Sequence, residues 1–293
     1  MPEPRPWQLD RRGVRAAFDR ASAGYESAAR LQASVAQELL SRLGAFGFAP
    51  AVVLDLGAGT GRASAELKRR YPHARVIALD LSGRMLHEAR RHQRLWRRFE
   101  RVCADAQQLP LAAGSVDLVF SSLMLQWCEP LDAALTEVRR VLKPSGFFAF
   151  STFGPATLQE LRAAWAAADD YSHVNRFRDV HDVGGALVRA GLTEPVLDVD
   201  RHELAYADVL GLMRDLKAIG AHNVTAGRPR TLLGRAHLKR MQQAYERARQ
   251  GAVLPATFEV VYGACWGAAG RAAAAARGGE VHIAPGAIGR SAR

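Results

Sequence analysis

Val52-Val53-Leu54-Asp55-Leu56-Gly57-Ala58-Gly59-Thr60-Gly61 is an apolar run that stops in a glycine-rich turn, and the next apolar run, residues 75–80, closes on Asp80. Short apolar runs bounded by turn signals read as buried strands. Glycines at 57, 59 and 61 let the chain turn sharply and bring backbone N–H groups close to a ligand, with the start of a helix behind them. A dinucleotide fingerprint would need its third glycine at position 62, where Arg62 stands. The pattern is instead G-x-G-x-G, with an acid two residues before the first glycine. Asp55 can orient the turn or meet an ammonium group, a role that a pyrophosphate site would not want from a carboxylate. Asp80, followed by Leu81, is placed to accept hydrogen bonds from both hydroxyls of a ribose. In Cys103-Ala104-Asp105-Ala106 a third run ends in an acid suited to an adenine amino group, and Ser121 closes a fourth run. Three acids at successive strand ends point to S-adenosyl-L-methionine. The competing reading is an ordinary strand-to-helix turn whose acids only cap helices.

Outward from this turn, apolar runs at 51–56, 75–80, 99–104, 116–121 and 146–153 alternate with helical patterns near 61–70, 82–94 and 131–142. Such alternation predicts a doubly wound parallel sheet with right-handed crossovers. Pro72 and Pro144-Ser145-Gly146 supply helix stops. Residues 11–43 carry Val14, Phe18, Tyr25, Leu31, Val35 and Leu39 at helical spacing, which predicts one or two amphipathic helices covering the cofactor site. A helix near 179–190 leads to a sixth strand, 195–204, and a seventh follows at 257–262. The fold expected is therefore an α/β, Rossmann-like seven-stranded doubly wound sheet with N-terminal helices. Between the last two strands, about 206–250 reads as a helical insert acting as a lid. One domain over 1–270 and a partly flexible Ala/Gly-rich tail over 271–293 complete the reading.

The 293 residues are 48% hydrophobic, enough for a sizeable core, and no apolar stretch approaches the roughly 20 residues needed to cross a bilayer. The charged N-terminus lacks the apolar centre of a secretory signal. Cys103, Cys128 and Cys265 are far apart, which suggests neither a disulfide framework nor a zinc site. A cytoplasmic protein with no resident metal is expected. The net charge of +11 suits an acidic partner. No nucleic-acid module and no membrane segment accompany it, and a monomer is favoured.

The strand-end residues, with Leu142-Lys-Pro-Ser-Gly146, resemble the class I S-adenosylmethionine methyltransferases over roughly 45–155. Four further stretches are more particular: Tyr25–Gln32, Phe150–Arg162, His173–Asp182 and Leu212–Ala221. Together with Leu254–Gly263 they resemble the malonyl-acyl-carrier-protein O-methyltransferases of biotin synthesis from about 13 to 290. The resemblance implies methylation of the free carboxylate of a malonyl thioester, with acyl carrier protein or coenzyme A as the carrier.

A carboxylate with a pKa of ~4 is ionised at neutral pH, so its methylation calls for positioning and desolvation rather than a general base. Tyr25 and Arg214 are the residues expected to position the malonyl carboxylate, with Lys217, His173 and Asn175 as alternatives. Each could equally be a solvated charge or a structural hydrogen bond. Trp127 reads as wall, and Cys128, with no basic neighbour in sequence, is a poor nucleophile. Residues 84–101 hold seven arginines against Glu88 and Glu100. Arg228, Arg230, Arg235, Lys239 and Arg240 in the insert are better placed to meet an acidic carrier. Two rivals remain from sequence: a methyltransferase acting on RNA or another small molecule, and an assembly or hydroxylase factor of similar fold.

Overall fold

The computed structural model describes residues 9–45, 47, 49–221, 223–225 and 234–268. Before the sheet come α1 (Arg11–Ala21), α2 (Tyr25–Ala28) and α3 (Arg30–Arg42). The one or two helices expected here are three, because the chain turns at Gly24 and again at Ala29. Then follow β1 (Val52–Leu56), α4 (Arg62–Arg70), β2 (Arg75–Asp80), α5 (Gly83–Glu88), β3 (Glu100–Cys103) and β4 (Val116–Ser122). The second half contains α6 (Leu131–Val141), β5 (Leu142–Phe153), α7 (Gln159–Ala166), α8 (Val180–Arg189), β6 (Thr193–Tyr206), α9 (Val209–Ala218), α10 (Arg235–Glu246) and β7 (Leu254–Trp266).

The seven strands form one sheet in the order β3-β2-β1-β4-β5-β7-β6. β1 sits beside β2 and β4 in parallel register, with Val53 opposite Val76 and Leu118. Side-chain alternation on the central strands builds two cores, one on each face of the sheet. On one face Val53, Phe120 and Phe147 meet Val35 and Leu39 of α3 and Leu67 of α4. On the other, Leu54, Val119 and Phe148 meet Leu135 and Val138 of α6 and Leu187 of α8.

Three expectations need correction. The sheet is not wholly parallel: β7 runs antiparallel to both β5 and β6. β6 therefore ends and β7 begins at the same edge, Tyr206 opposite Leu254, so the insert stays at that edge and needs no crossover. The helix expected over 82–94 stops at Glu88 and tightens into a 3₁₀ turn, Ala89–His92. There Ala89 packs against Gly61, whose missing Cβ would lie 2.6 Å from that of Ala89. Finally, α7 was not expected at all. The insert is no loose flap, because Met241 and Tyr245 of α10 share a core with Leu161 and Trp165 of α7. The Tyr245 hydroxyl also donates to the Pro255 carbonyl at 2.9 Å. The tail over 271–293 lies outside the described residues, as do Arg228 and Arg230.

Candidate active site

The glycine turn does what its composition requires. Gly57, Gly59 and Gly61 all have positive φ (80°, 54° and 76°), and a Cβ on Gly57 would stand 2.2 Å from Met124 Cγ. The turn folds back on β2, with the amides of Gly57 and Ala58 both donating to the Leu79 carbonyl. One carboxylate oxygen of Asp80 accepts from the Gly59 amide and the other from the Ser82 amide, each at 2.8 Å. Burial raises the Asp80 pKa despite these bonds. The carboxylate is thus fixed at the strand end with lone pairs left for a ligand's hydroxyls.

A cavity opens above this strand edge, lined by Gly57, Gly59, Asp80, Leu81, Asp105 and Ala106, with Tyr25 entering from α2. Phe18, Leu79 and Met85 give it apolar walls. Asp80 at the end of β2 and Asp105 just past β3 set two carboxylates in this slot, among polar neighbours that include Arg11, Gln107 and Gln126. Tyr25 is held neutral, since burial and then the nearby Asp80 both push its pKa up.

Three residues named from sequence stand apart from this cavity. Asp55 does not line it and accepts from Ser64 of α4, but it borders a side opening shared with Tyr25, Gly57 and Gly59. Burial raises its pKa to about 7. Gly61 forms the start of α4 and packs on Ala89. Ser121 is fully buried and donates to the Leu56 carbonyl at 2.8 Å, tying β4 to β1. Its neighbour Ser122 lines the cavity instead.

Helix α1 closes the cavity from above. Arg11 pairs with Asp105, Asp19 accepts from the Ser82 hydroxyl at 2.6 Å, and Phe18 meets Trp127 edge-on at 5.2 Å between centroids. Its next face, Ala17, Arg20 and Ala21, lines a second and larger chamber of about 1030 Å³. One helix therefore walls both spaces. Sequence reading found Val14 and Phe18 but missed Arg11, Asp19 and Arg20. Their spacing on the same helix was the available signal.

The larger chamber gathers Arg214, Lys217, His173 and Asn175, four of the five residues named for the substrate, while Tyr25 belongs to the cofactor side. Arg214 and Lys217 are exposed. His173 stacks on Trp165 at 3.8 Å and bonds Asp169 at 2.8 Å. The Asn175 Oδ1 is buried with no hydrogen-bond partner among the described residues. Cys128 is buried, and its thiol is pushed up to about 12 by that burial, so no thiolate is available there. Among the described residues no group of His, Cys, Asp and Glu is arranged to hold a metal ion, and no helix is long and apolar enough to cross a membrane.

Comparison with known proteins agrees with this arrangement. Residues 54–150 match a family model described as a methyltransferase domain. A malonyl-[acyl-carrier protein] O-methyltransferase of Laribacter hongkongensis is 53% identical over 270 residues, 89% of this chain and 91% of that protein. One from Methylovorus sp. is 51% identical, covering 88% of this chain and 89% of its own. One from Halorhodospira halophila is 48% identical, covering 94% of both. Among solved structures, a putative methyltransferase from Bacillus halodurans shares the fold at TM-score 0.56 and 17% identity, over 80% of this chain and 98% of that one. With identity near one half along almost its whole length, the chain belongs to the malonyl-[acyl-carrier protein] O-methyltransferase family.

Proposed function

We propose that this protein transfers the methyl group of S-adenosylmethionine to the free carboxylate of a malonyl thioester borne by acyl carrier protein, an early step of biotin synthesis. One observation carries the reading: a slot with carboxylates suited to a nucleoside shares part of its lining with a chamber far larger than a malonyl group. That volume leaves room for the carrier's arm.

When bound, the cofactor supplies an electrophilic sulfonium methyl. A carboxylate oxygen attacks it, a C–O bond forms as the C–S bond breaks, and the electron pair of that bond stays on sulfur. No proton moves. Asp80 and Asp105 would hold the nucleoside, and the glycine turn would receive the methionyl end. Tyr25, kept protonated, lines the cavity from α2 and cannot act as a base. Arg214, with Lys217, draws the malonyl anion into the chamber. Alignment of the carboxylate oxygen on the methyl, worth about 7–11 kcal/mol in favourable systems, does most of the work. Outside the chamber, exposed Arg235, Lys239 and Arg240 on α10 face an acidic carrier.

The test is methyl transfer to malonyl-carrier protein, malonyl-CoA and RNA in parallel. The methyl ester of malonyl-carrier protein is expected. No product from either malonyl thioester would overturn the proposal. Restoring growth without biotin to a strain lacking this step is the corresponding test in cells.

A further inference from the structure

The methyl group can pass only where the two cavities meet. Five residues line both: Gln32, Trp127, Phe153, Ile219 and Ala221. Of these, Gln32 and Trp127 alone carry a side-chain hydrogen-bond donor. The backbone amides of Trp127, Ile219 and Ala221 are already committed, to the carbonyls of Met124, Asp215 and Leu216. We propose that the Gln32 amide and the Trp127 indole N–H hold the reacting malonyl carboxylate at the throat between the cavities; this rests on the function proposed above.

Both donors are set by their surroundings. Gln32 lies in the first turn of α3 between buried Leu31 and Val35, which fix the face it presents. Trp127 ends a short 3₁₀ turn anchored by buried Leu125, and its ring is braced edge-on by Phe18 at 88°. Neither donor is taken by another described residue, and Gln32 also reaches the side opening beneath the glycine turn.

Neutral donors suit this point for two reasons. A guanidinium in contact with the carboxylate would withdraw charge from the oxygen that must attack. It would also sit against the sulfonium and repel it. Arg11 in the cofactor cavity is paired with Asp105, and the cations Arg20, Arg214 and Lys217 line only the larger chamber, where they can attract the anion without spoiling it. Two neutral hydrogen bonds orient the oxygen and leave most of its charge in place.

The experiment uses the full chain, with kcat and KM measured on malonyl-carrier protein and S-adenosylhomocysteine binding measured by calorimetry. Gln32→Ala and Trp127→Phe should each lower kcat/KM roughly 10- to 100-fold, the loss of one hydrogen bond to a charged group. Gln32→Glu keeps the side-chain shape and places a negative charge at the throat. It should lose methylation at least as far while still binding S-adenosylhomocysteine. A Gln32→Glu enzyme that methylates like the unchanged chain would overturn the proposal, as would losses that track the loss of S-adenosylhomocysteine binding. Should the unchanged chain itself form no methyl ester, the underlying function fails, and that outcome is told apart by the unsubstituted control.

Discussion

At the scale of single residues, Asp80 and Asp55 show how two carboxylates a short distance apart take different work. Asp80 is oriented by two amides and faces the cavity. Asp80→Ala should abolish cofactor binding, roughly 100-fold or more from losing two charge-assisted bonds, while the far-ultraviolet dichroism stays unchanged; calorimetry with S-adenosylhomocysteine checks this. Asp55 is buried against Ser64 with its carboxyl raised to about 7 from an ordinary value of 3.8. With the folded value above the unfolded one, its contribution is fully present below pH ~4 and is lost as pH rises through ~7. Asp55→Asn cannot ionise. It should therefore gain on the unchanged chain between pH 5 and 8, on the order of 2 kcal/mol in denaturant unfolding at the upper end. The position of Asp80 was readable in sequence because it closes an apolar run, whereas Asp55 lies inside β1 and Asp105 two residues past β3. Ser121 was not placed correctly relative to the cavity by that logic. Successive strand residues point to opposite faces, so one step decides whether a hydroxyl meets ligand or sheet. The pair Ser121 and Ser122 differs by that step.

Among the elements, β5 and β7 illustrate a constraint that no apolar pattern announces. Phe150 lies directly opposite Gly263, and a Cβ added there would stand 2.1 Å from the Phe150 ring. Gly263→Ala should cost about 1–3 kcal/mol of stability, read as a lowered denaturation midpoint, with relief when Phe150 is shortened to Leu in the same chain. Helices α4, α6 and α8 were legible from their periodic apolar faces, and their observed ends fall within a residue or two of the expected ones. By contrast, α7 follows Gly154-Pro155-Ala156-Thr157, which reads as loop. It is held by tertiary contacts, among them Glu160 accepting from the Thr257 amide. β6 outruns its expected bounds because it is an edge strand whose exposed residues blur the alternation. The direction of β7 is written in its partners rather than in its own residues.

For the whole molecule, charge and shape act together. A net charge of +11 should raise the encounter rate with an acidic carrier. The value of kcat/KM for malonyl-carrier protein should fall several-fold as ionic strength rises from about 0.05 to 0.5 M, while kcat at saturation changes little. A flat salt profile would show that the basic surface takes no part in docking. The doubly wound seven-stranded sheet was within reach of sequence, since alternating strand and helix patterns announce it, whereas the place of β7 between β5 and β6 was not. The chamber was not, because its walls come from α1, α7 and α9, which meet only after folding.

That meeting has a practical side. Because α1 walls both cavities and five residues line both, a single molecule reaching from one to the other is a natural inhibitor design, with an adenosine at one end and a dicarboxylate mimic at the other. Each half raises the effective concentration of the other to roughly the millimolar range, so two weak ligands joined by a short linker would make a tight inhibitor. Enzymes that share the nucleoside slot but lack this neighbouring chamber would bind only one half, and selectivity would follow from the linker alone.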